Sequence, residues 1–512
     1  MKKINKKEVV IIVILLIGVL YKLLITSGGN FIFNMDNARD MVDVREMVVL
    51  HKIRLTGPTS GIDGFYNGPL WYYLLAFPFI LTGGNPYAEI LLMIFLWAVG
   101  GYFLLKIASR FGVWPTILVG SLWVASNYVT LATIYAFNPN PVLLLTPLAI
   151  FCLEKYLIKN DVRFGIAAWF FAGAFFNFEM AFGLFMPPII FISILLSKRA
   201  KYFITKNFWI GAGVFLIMLF PQLLFNFRHQ GLLRNSLANH LSSSQSTGQK
   251  INLSLHSAGI IDLYTSTMQA TFMNSNNLKV IFFGLVLFVL GGAIYKKKLK
   301  VSPLNAVLIS FVLVPILGSL ILPLSFMPWH VGGVMATLIL LFGILVSSFI
   351  LLSPLTKYIG VLLVLSIAGY ALYNMEIPSN LKSGRVNSDP SSYVNEISAI
   401  DYVYKVANGK NFKAYTYLPS VIDYPYQYLF WWYGIKKFGY TPKEYVYLPN
   451  KPQYISNKEK FQSSYNPPDS GLVMLIEEPN RPDLEDLWKN SFNNLQLLSK
   501  TKVGPLSVEV RK

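Results

Sequence analysis

A single cysteine, Cys152, stands among the 512 residues. No intramolecular disulfide can form, and no metal site can be built on cysteine. Charge is also scarce: Asp, Glu, Lys and Arg supply 13% of the chain, against about 25% in an ordinary soluble domain. No Walker loop, Rossmann fingerprint, His-Glu-x-x-His helix or nucleophile elbow occurs, so no nucleotide-binding domain is visible. Acidic residues are few, 25 against 44 Lys and Arg. The resulting charge of +19 does not describe a nucleic-acid surface, because the cations sit in short clusters between apolar runs, where membrane topology demands them. There is no internal repeat, and no low-complexity tract beyond 242–246.

What the chain has in abundance is apolar sequence, 54% of its residues, gathered in long runs. This predicts an α-helical, polytopic membrane protein. Candidate spans are 9–25, 87–107, 113–133, 141–157, 164–178, 182–196, 208–225, 280–295, 304–322, 331–352 and 358–373. The segment 70–81 is apolar and aromatic but short, and it contains Pro78, which suits an interfacial or re-entrant helix. With that segment left out, every cationic cluster falls on one side: Lys2/Lys3/Lys6/Lys7, Lys106/Arg110, Lys155/Lys159/Arg163, Lys198/Arg199/Lys201/Lys206, Lys296/Lys297/Lys298/Lys300 and Lys357. The positive-inside rule then gives about eleven spans in the cell membrane, with a cytoplasmic N-terminus and an extracytoplasmic C-terminus. The basic head 1–8 leads into a first span with no small-residue cleavage site before Gly28, so that span is read as uncleaved.

Two parts are expected. Residues 1–375 form the membrane part, with a first outer loop 26–86 and a long outer loop 226–279. Residues 376–512 form a small extracytoplasmic α/β domain. In it a helix over 393–406 precedes strands at 413–417, 472–476 and 506–511, with an aromatic-rich stretch at 424–438. The inside connections are short and basic, so the chemistry is expected on the outer face.

The first loop concentrates charge. As a helix, it places Asp36, Asp40 and Asp43 at i, i+4 and i+7 on one face, with Ala38, Met41, Val42, Val48 and Val49 on another. Like charges on one face repel, so the stripe points to a partner that wants carboxylates: a substrate hydroxyl, a metal, or the neighbouring arginines. The bland alternative is a solvated amphipathic helix lying on the membrane. Other polar residues gather at the outer ends of spans. They are Arg39, Tyr66-Asn67-Gly68-Pro69, Tyr135, Asn138-Pro-Asn-Pro141, Asn177, Glu179, Arg228-His229 and Trp329-His330. Ionisable groups at membrane depth cost about 2.5–3.5 kcal/mol at the centre, so they usually face a cavity.

A first span, an outward loop with the early Asp36, the run Gly68-Pro69-Leu70 opening a short helix, and Gly84-Asn85-Pro86 before the next span together resemble the integral-membrane glycosyltransferases of the GT-C fold. The similarity is closest to the protein O-mannosyltransferase and aminoarabinose-transferase branch and covers 1–373. It implies a polyprenyl-phosphate-linked sugar as donor and Asp36 as the catalytic carboxylate. Relatives often carry a second acid directly afterwards. Here Asn37 follows and Asp40 comes later, so the family assigns Asp40 no role.

The expected chemistry is inverting transfer to a protein, lipid or glycan acceptor. Asp36 takes the acceptor proton. Positive charge meets the leaving phosphate, first from Arg228 and His229, then from Arg39 and His330. Asp40, Tyr66 and Asn67 complete the substrate-binding set. Glu179, among Phe176, Phe178 and Phe182, holds an arginine or shares a divalent cation with Asp36; the arginine is preferred, because carboxylates alone do not identify a cation. The competing roles are a headgroup anchor for Arg228, an interfacial belt for His330, turn residues for Asn138 and Asn140, and core packing for Tyr424, Tyr426, Trp431, Trp432 and Tyr433. A transporter or flippase for a lipid-linked or anionic solute is the alternative function, and a noncatalytic scaffold presenting the C-terminal domain is the third.

Overall fold

The computed structural model describes residues 6–246, 253–295, 301–322, 324–418, 420, 422–450 and 454–512. The basic clusters Lys2/Lys3 and Lys296/Lys297/Lys298/Lys300 lie outside them. In chain order the helical part runs α1 (Lys6–Thr26), α2 (Met35–Val49), α3 (Leu70–Thr82), α4 (Tyr87–Ala108), α5 (Val113–Ala125), α6 (Asn127–Ile134), α7 (Asn140–Lys159), α8 (Val162–Phe178) and α9 (Met180–Gly183). It continues with α10 (Met186–Leu196), α11 (Lys206–Arg228), α12 (Leu232–Ser246), α13 (Leu253–Thr271), α14 (Asn276–Tyr295), α15 (Pro303–Ile321), α16 (Gly332–Ile350) and α17 (Pro354–Asn374).

Among the described residues, seven helices are long and apolar enough to cross a membrane, and up to nine spans result if each bent pair counts as one. The bent pairs are α5 with α6, at 51°, and α13 with α14, at 108°. The chain is thus a multi-pass membrane protein. Each of the eleven expected spans has a helix here. Two of them, α8 and the α9–α10 stretch, fall in the shorter apolar class of 10–17 residues, below the roughly 20 residues of an upright crossing. The 13-residue α3 is shorter still, as its length and Pro78 foretold. The stretch read as a long outer loop, 226–279, carries α12, all of α13 and the start of α14. Its hydroxyl-rich sequence hides a helix that docks through His256 Nε2 on the Ser319 carbonyl at 3.0 Å.

One end of the bundle is basic. Lys7 Nζ donates to the Ser109 carbonyl at 2.9 Å, and Arg110 grips both Glu154 oxygens at 2.6 and 2.7 Å. Asn207 reaches the Asn160 carbonyl at 2.5 Å, and Arg199 bonds Tyr202, which bonds the Leu157 carbonyl. The described basic clusters of the first six crossings therefore collect together. The break between α5 and α6 orphans the last carbonyls of α5. Lys22, fully buried in α1, donates to the Val124 carbonyl at 3.2 Å and to the Thr130 hydroxyl. Asn374 takes the Ala125 carbonyl at 2.8 Å.

The C-terminal region adds α18 (Ile377–Ser383), α19 (Tyr393–Ala407), β1 (Asn411–Tyr417), α20 (Tyr424–Leu429), α21 (Ile435–Phe438), β2 (Glu444–Val446), β3 (Asp469–Glu477), α22 (Pro482–Asn490), β4 (Leu497–Val503) and β5 (Leu506–Arg511). The sheet order is β2-β1-β3-β5-β4. β1 lies parallel to β2 and β3, while β5 runs antiparallel to β3 and β4. β1, β3, β5 and α19 occur where the sequence predicts them. β2 and β4 escape prediction because one is three residues long and the other, Leu-Leu-Ser-Lys-Thr-Lys-Val, is mostly exposed and lacks clean alternation.

Glu396 of α19 and Glu478, just past β3, are fully buried. Glu478 accepts from Ser391 Oγ at 2.9 Å and Tyr426 OH at 3.2 Å. Burial pushes Glu478 up to about 7, against an ordinary 4.5. It also raises Glu396, helped by the charge of Glu478. A carboxyl raised on folding contributes stability that is complete below about pH 4.5 and lost as pH climbs through about 7. The solubilised chain is therefore expected to lose about 3 kcal/mol of stability over that interval from Glu478 alone. Glu478→Gln should flatten this slope in thermal unfolding measured across pH.

Candidate active site

The strand-like stretch before α2 is sewn to both parts of the molecule, since Ile32 bridges Tyr135 on one side and Ser392 on the other. Asn34 then caps α2, its side-chain oxygen accepting from the Asp36 amide at 3.0 Å. The acid stripe of α2 faces α3. Asp40 is fully buried; it accepts from Arg39 Nε at 3.1 Å and Nη2 at 2.9 Å on one oxygen, and from Trp71 Nε1 at 2.8 Å on the other. Burial pushes its pKa up to about 7 despite the adjacent guanidinium. Asp43 accepts from Tyr72 OH at 2.8 Å and Arg54 at 2.9 Å. Burial alone would raise Glu46, but hydrogen bonds from Lys52 and Ser456 and the charge of Arg54 bring it below its ordinary value.

Asp36 is different. Its side chain is 31% exposed, and Arg39 touches it through Nη1 alone at 3.3 Å, farther than the 2.9 Å from Nη2 to Asp40. Tyr135 OH donates to its second oxygen at 3.2 Å. This carboxylate keeps accepting capacity open to its surroundings.

Two arms of contact lead away from it. Along the first, Tyr135 stacks on Phe137 at 5.0 Å, Phe137 meets the Trp329 ring edge-on at 5.6 Å, and His330 follows. His330 Nε2 stands 3.7 Å from Glu179 Oε1. Glu179 caps α9 through the Ala181 amide at 3.1 Å, and the Met180 amide donates to Asn67 Oδ1 at 3.4 Å. Along the second, Arg39 Nη1 donates to Thr59 Oγ1 at 3.1 Å, and Thr59 bridges Tyr66. Tyr66 packs edge-on against Phe225 at 5.8 Å, and Phe225 stacks on His229 at 4.0 Å. Tyr66 and Asn67 are neighbours, so the arms meet and the contacts close into a ring. Gly68 beside them must be glycine, since a Cβ there would overlap the Asn177 amide.

These contacts link eight of the nine candidates, in different positions, and Arg228 adjoins one of them, His229, in the chain. Asp36 lines the ring. Arg39 is committed to Asp36, Asp40 and Thr59, and Asp40 is sealed beneath it. Tyr66 is half-buried, and buried Asn67 holds its own loop through the Pro58 carbonyl and Gly57 amide. Glu179 faces His330 rather than an arginine. Arg228 ends α11, exposed, with no side-chain hydrogen bond or ion pair among the described residues, and His229 is exposed beside it. No group of three or more His, Cys, Asp or Glu among the described residues is arranged for a metal ion, so Asp36 and Glu179 lack a third such ligand. The donors Trp71, Tyr72 and Thr59 and the wall residue Phe137 went unread. The signal for the first two was an aromatic pair with an N–H and an O–H directly after Gly68-Pro69-Leu70.

No family model and no curated protein matches the chain. Solved structures do. ArnT from Cupriavidus metallidurans bound to undecaprenyl phosphate superposes with a TM-score of 0.58 at 12% identity, covering 98% of this chain and 97% of that one. ArnT of the same organism in the apo state gives 0.59 at 11%, with the same coverage of 98% and 97%. The chain therefore has the ArnT-like GT-C fold over nearly its whole length, in agreement with the fold that the first-loop resemblance implied.

Because Asp40 neutralises a buried guanidinium, Asp40→Asn should destabilise the chain by about 3–5 kcal/mol, read as a lowered thermal midpoint in detergent. Asp43→Asn, at a half-exposed pair, should cost about 1 kcal/mol or less.

Proposed function

We propose that this chain is a membrane glycosyltransferase that moves a sugar from a polyprenyl-phosphate donor to an acceptor hydroxyl, with inversion. One observation carries the reading: in a fold shared with a protein solved bound to undecaprenyl phosphate, the least neutralised acid of α2 lines a ring of contacts that reaches His229, the residue next to the exposed Arg228 at the end of α11. Asp36 accepts the proton of the acceptor hydroxyl, whose oxygen attacks the anomeric carbon. The bond from that carbon to the phosphate oxygen breaks, and polyprenyl phosphate leaves with the electron pair toward Arg228 and His229. Tyr135 and Arg39 hold the Asp36 carboxylate in place. The aromatic wall of Tyr66, Tyr135 and Trp329 offers faces for a sugar ring.

In this reading the ring end of the bundle is extracytoplasmic, together with the C-terminal region 376–512, and the basic end is cytoplasmic. The collection of Lys7, Arg110, Lys155 and Arg199 at one end supports that orientation. The test is transfer from a polyprenyl-phosphate sugar in membranes carrying the full chain. Asp36→Asn should lower turnover by about 10²- to 10⁴-fold at unchanged expression, and Arg228→Ala by about tenfold or more. Near-normal turnover of Asp36→Asn removes Asp36 from its role. Flux of a lipid-linked solute through proteoliposomes without covalent transfer replaces the enzyme reading with a flippase.

A further inference from the structure

The C-terminal region meets the bundle at several places: Arg385 bonds Tyr21 of α1 and Asn127 of α6, both at 2.8 Å, Tyr393 stacks on Phe31, and further contacts fall on α2 and the end of α3. At α3 the contact is a cap: Tyr428 OH donates to the Gly84 carbonyl at 2.6 Å, and Trp432 Nε1 donates to the Gly83 carbonyl at 3.0 Å. At α2 it is stranger. Arg45 is 1% exposed, and its guanidinium lies 4.0 Å from the Phe461 ring and 4.9 Å from the Trp431 ring, with no salt bridge among the described residues. Glu46, the next residue, draws four donors. Lys52 at 2.6 Å and Arg54 at 2.7 Å come from the first loop; Ser456 at 2.7 Å and Asn457 at 2.6 Å come from the C-terminal region.

A helix that needed only a cover would carry an aliphatic residue at 45, which buries similar area without desolvating a cation. A guanidinium set against two rings that meet edge-to-face at 6.0 Å and a carboxylate with four donors are directional contacts. They fix the rotation of α2 about its axis as well as its burial. Asp36 rides the same helix nine residues earlier, about 13 Å along the axis at 1.5 Å per residue. Its own side-chain bonds are the long ones, at 3.2 and 3.3 Å, so the rest of α2 must aim it.

We propose that Arg45 and Glu46 are positioning residues. The C-terminal region grips them to set the rotation of α2, and with it the direction of the Asp36 carboxylate into the ring. This rests on Asp36 as the base of the proposed transfer. The substrate groups act on Asp36, Arg228 and the aromatic wall, so the grip is expected to appear in turnover and not in substrate affinity.

The experiment uses the full chain in lipid nanodiscs, with Arg45→Met, Arg45→Lys and Glu46→Gln beside wild type and Asp36→Asn. Arg45→Met keeps length and burial and removes the cation. Expected are falls in kcat of about 10- to 100-fold for Arg45→Met and Glu46→Gln, with KM within about threefold, and substantial recovery in Arg45→Lys. Hydrogen exchange at the amides of residues 35–42 should rise several-fold in the two impaired variants while β1 and β3 stay protected. An effect confined to KM, equal loss in Arg45→Met and Arg45→Lys, or unchanged exchange at 35–42 overturns the assignment. If wild type transfers no sugar from any polyprenyl-phosphate donor, the function reading fails, and exchange at 35–42 in the same variants still decides whether the grip aims α2.

Discussion

Four carboxylates on one 15-residue helix repel unless each finds a donor, and the way those donors are supplied organises the molecule. Asp40 takes Arg39 and Trp71, Asp43 takes Tyr72 and Arg54, and Glu46 takes donors from the first loop and the C-terminal region. Meeting this demand places α3 under α2, folds residues 52–54 back on it, and seats the sheet region above it. What is left over is Asp36, the acid with the weakest pairing and the most open surroundings. The proposed base is thus what remains of a neutralisation that otherwise runs to completion.

Much of this was legible. The i, i+4, i+7 spacing gave α2 and its acid face, Pro78 and length gave α3 as a short helix, and alternation gave β1, β3 and β5. The bland picture of α2 as a solvated surface helix is not what the structure has: Asp40 is fully buried and Arg45 nearly so. Pairings across long sequence distance stayed hidden. Trp71 with Asp40 spans 31 residues, and Glu179 with His330 joins the ends of separate helices. Local pattern carries no information about which of several donors an acid will meet. In place of the arginine expected beside Glu179 stands His330, 3.7 Å away. The hydroxyl-rich α13 read as loop because its apolar residues are diluted by Ser and Thr that bond back to their own helix, as Thr267 and Thr271 do.

The aromatic stretch 424–438 illustrates how one composition serves several ends. Three of its rings serve the contact with α2 and α3. Trp431 lies parallel to Phe79 at 6.4 Å and flanks Arg45, while Tyr428 and Trp432 cap the end of α3. Large amphipathic side chains suit such a joint, because each offers an apolar face to one partner and a polar tip to another.

Lys22 has a consequence for biogenesis. A lysine in an otherwise apolar first span finds its hydrogen-bond acceptors only when residues 124–130 have been made, about a hundred positions later. While the nascent chain waits, that cation has only lipid headgroups or the insertion machinery to satisfy it. The first helix therefore cannot reach its final depth alone; it settles when the broken α5–α6 pair arrives to receive it. The earliest segment of the polypeptide is thus completed by helices made about a hundred residues after it.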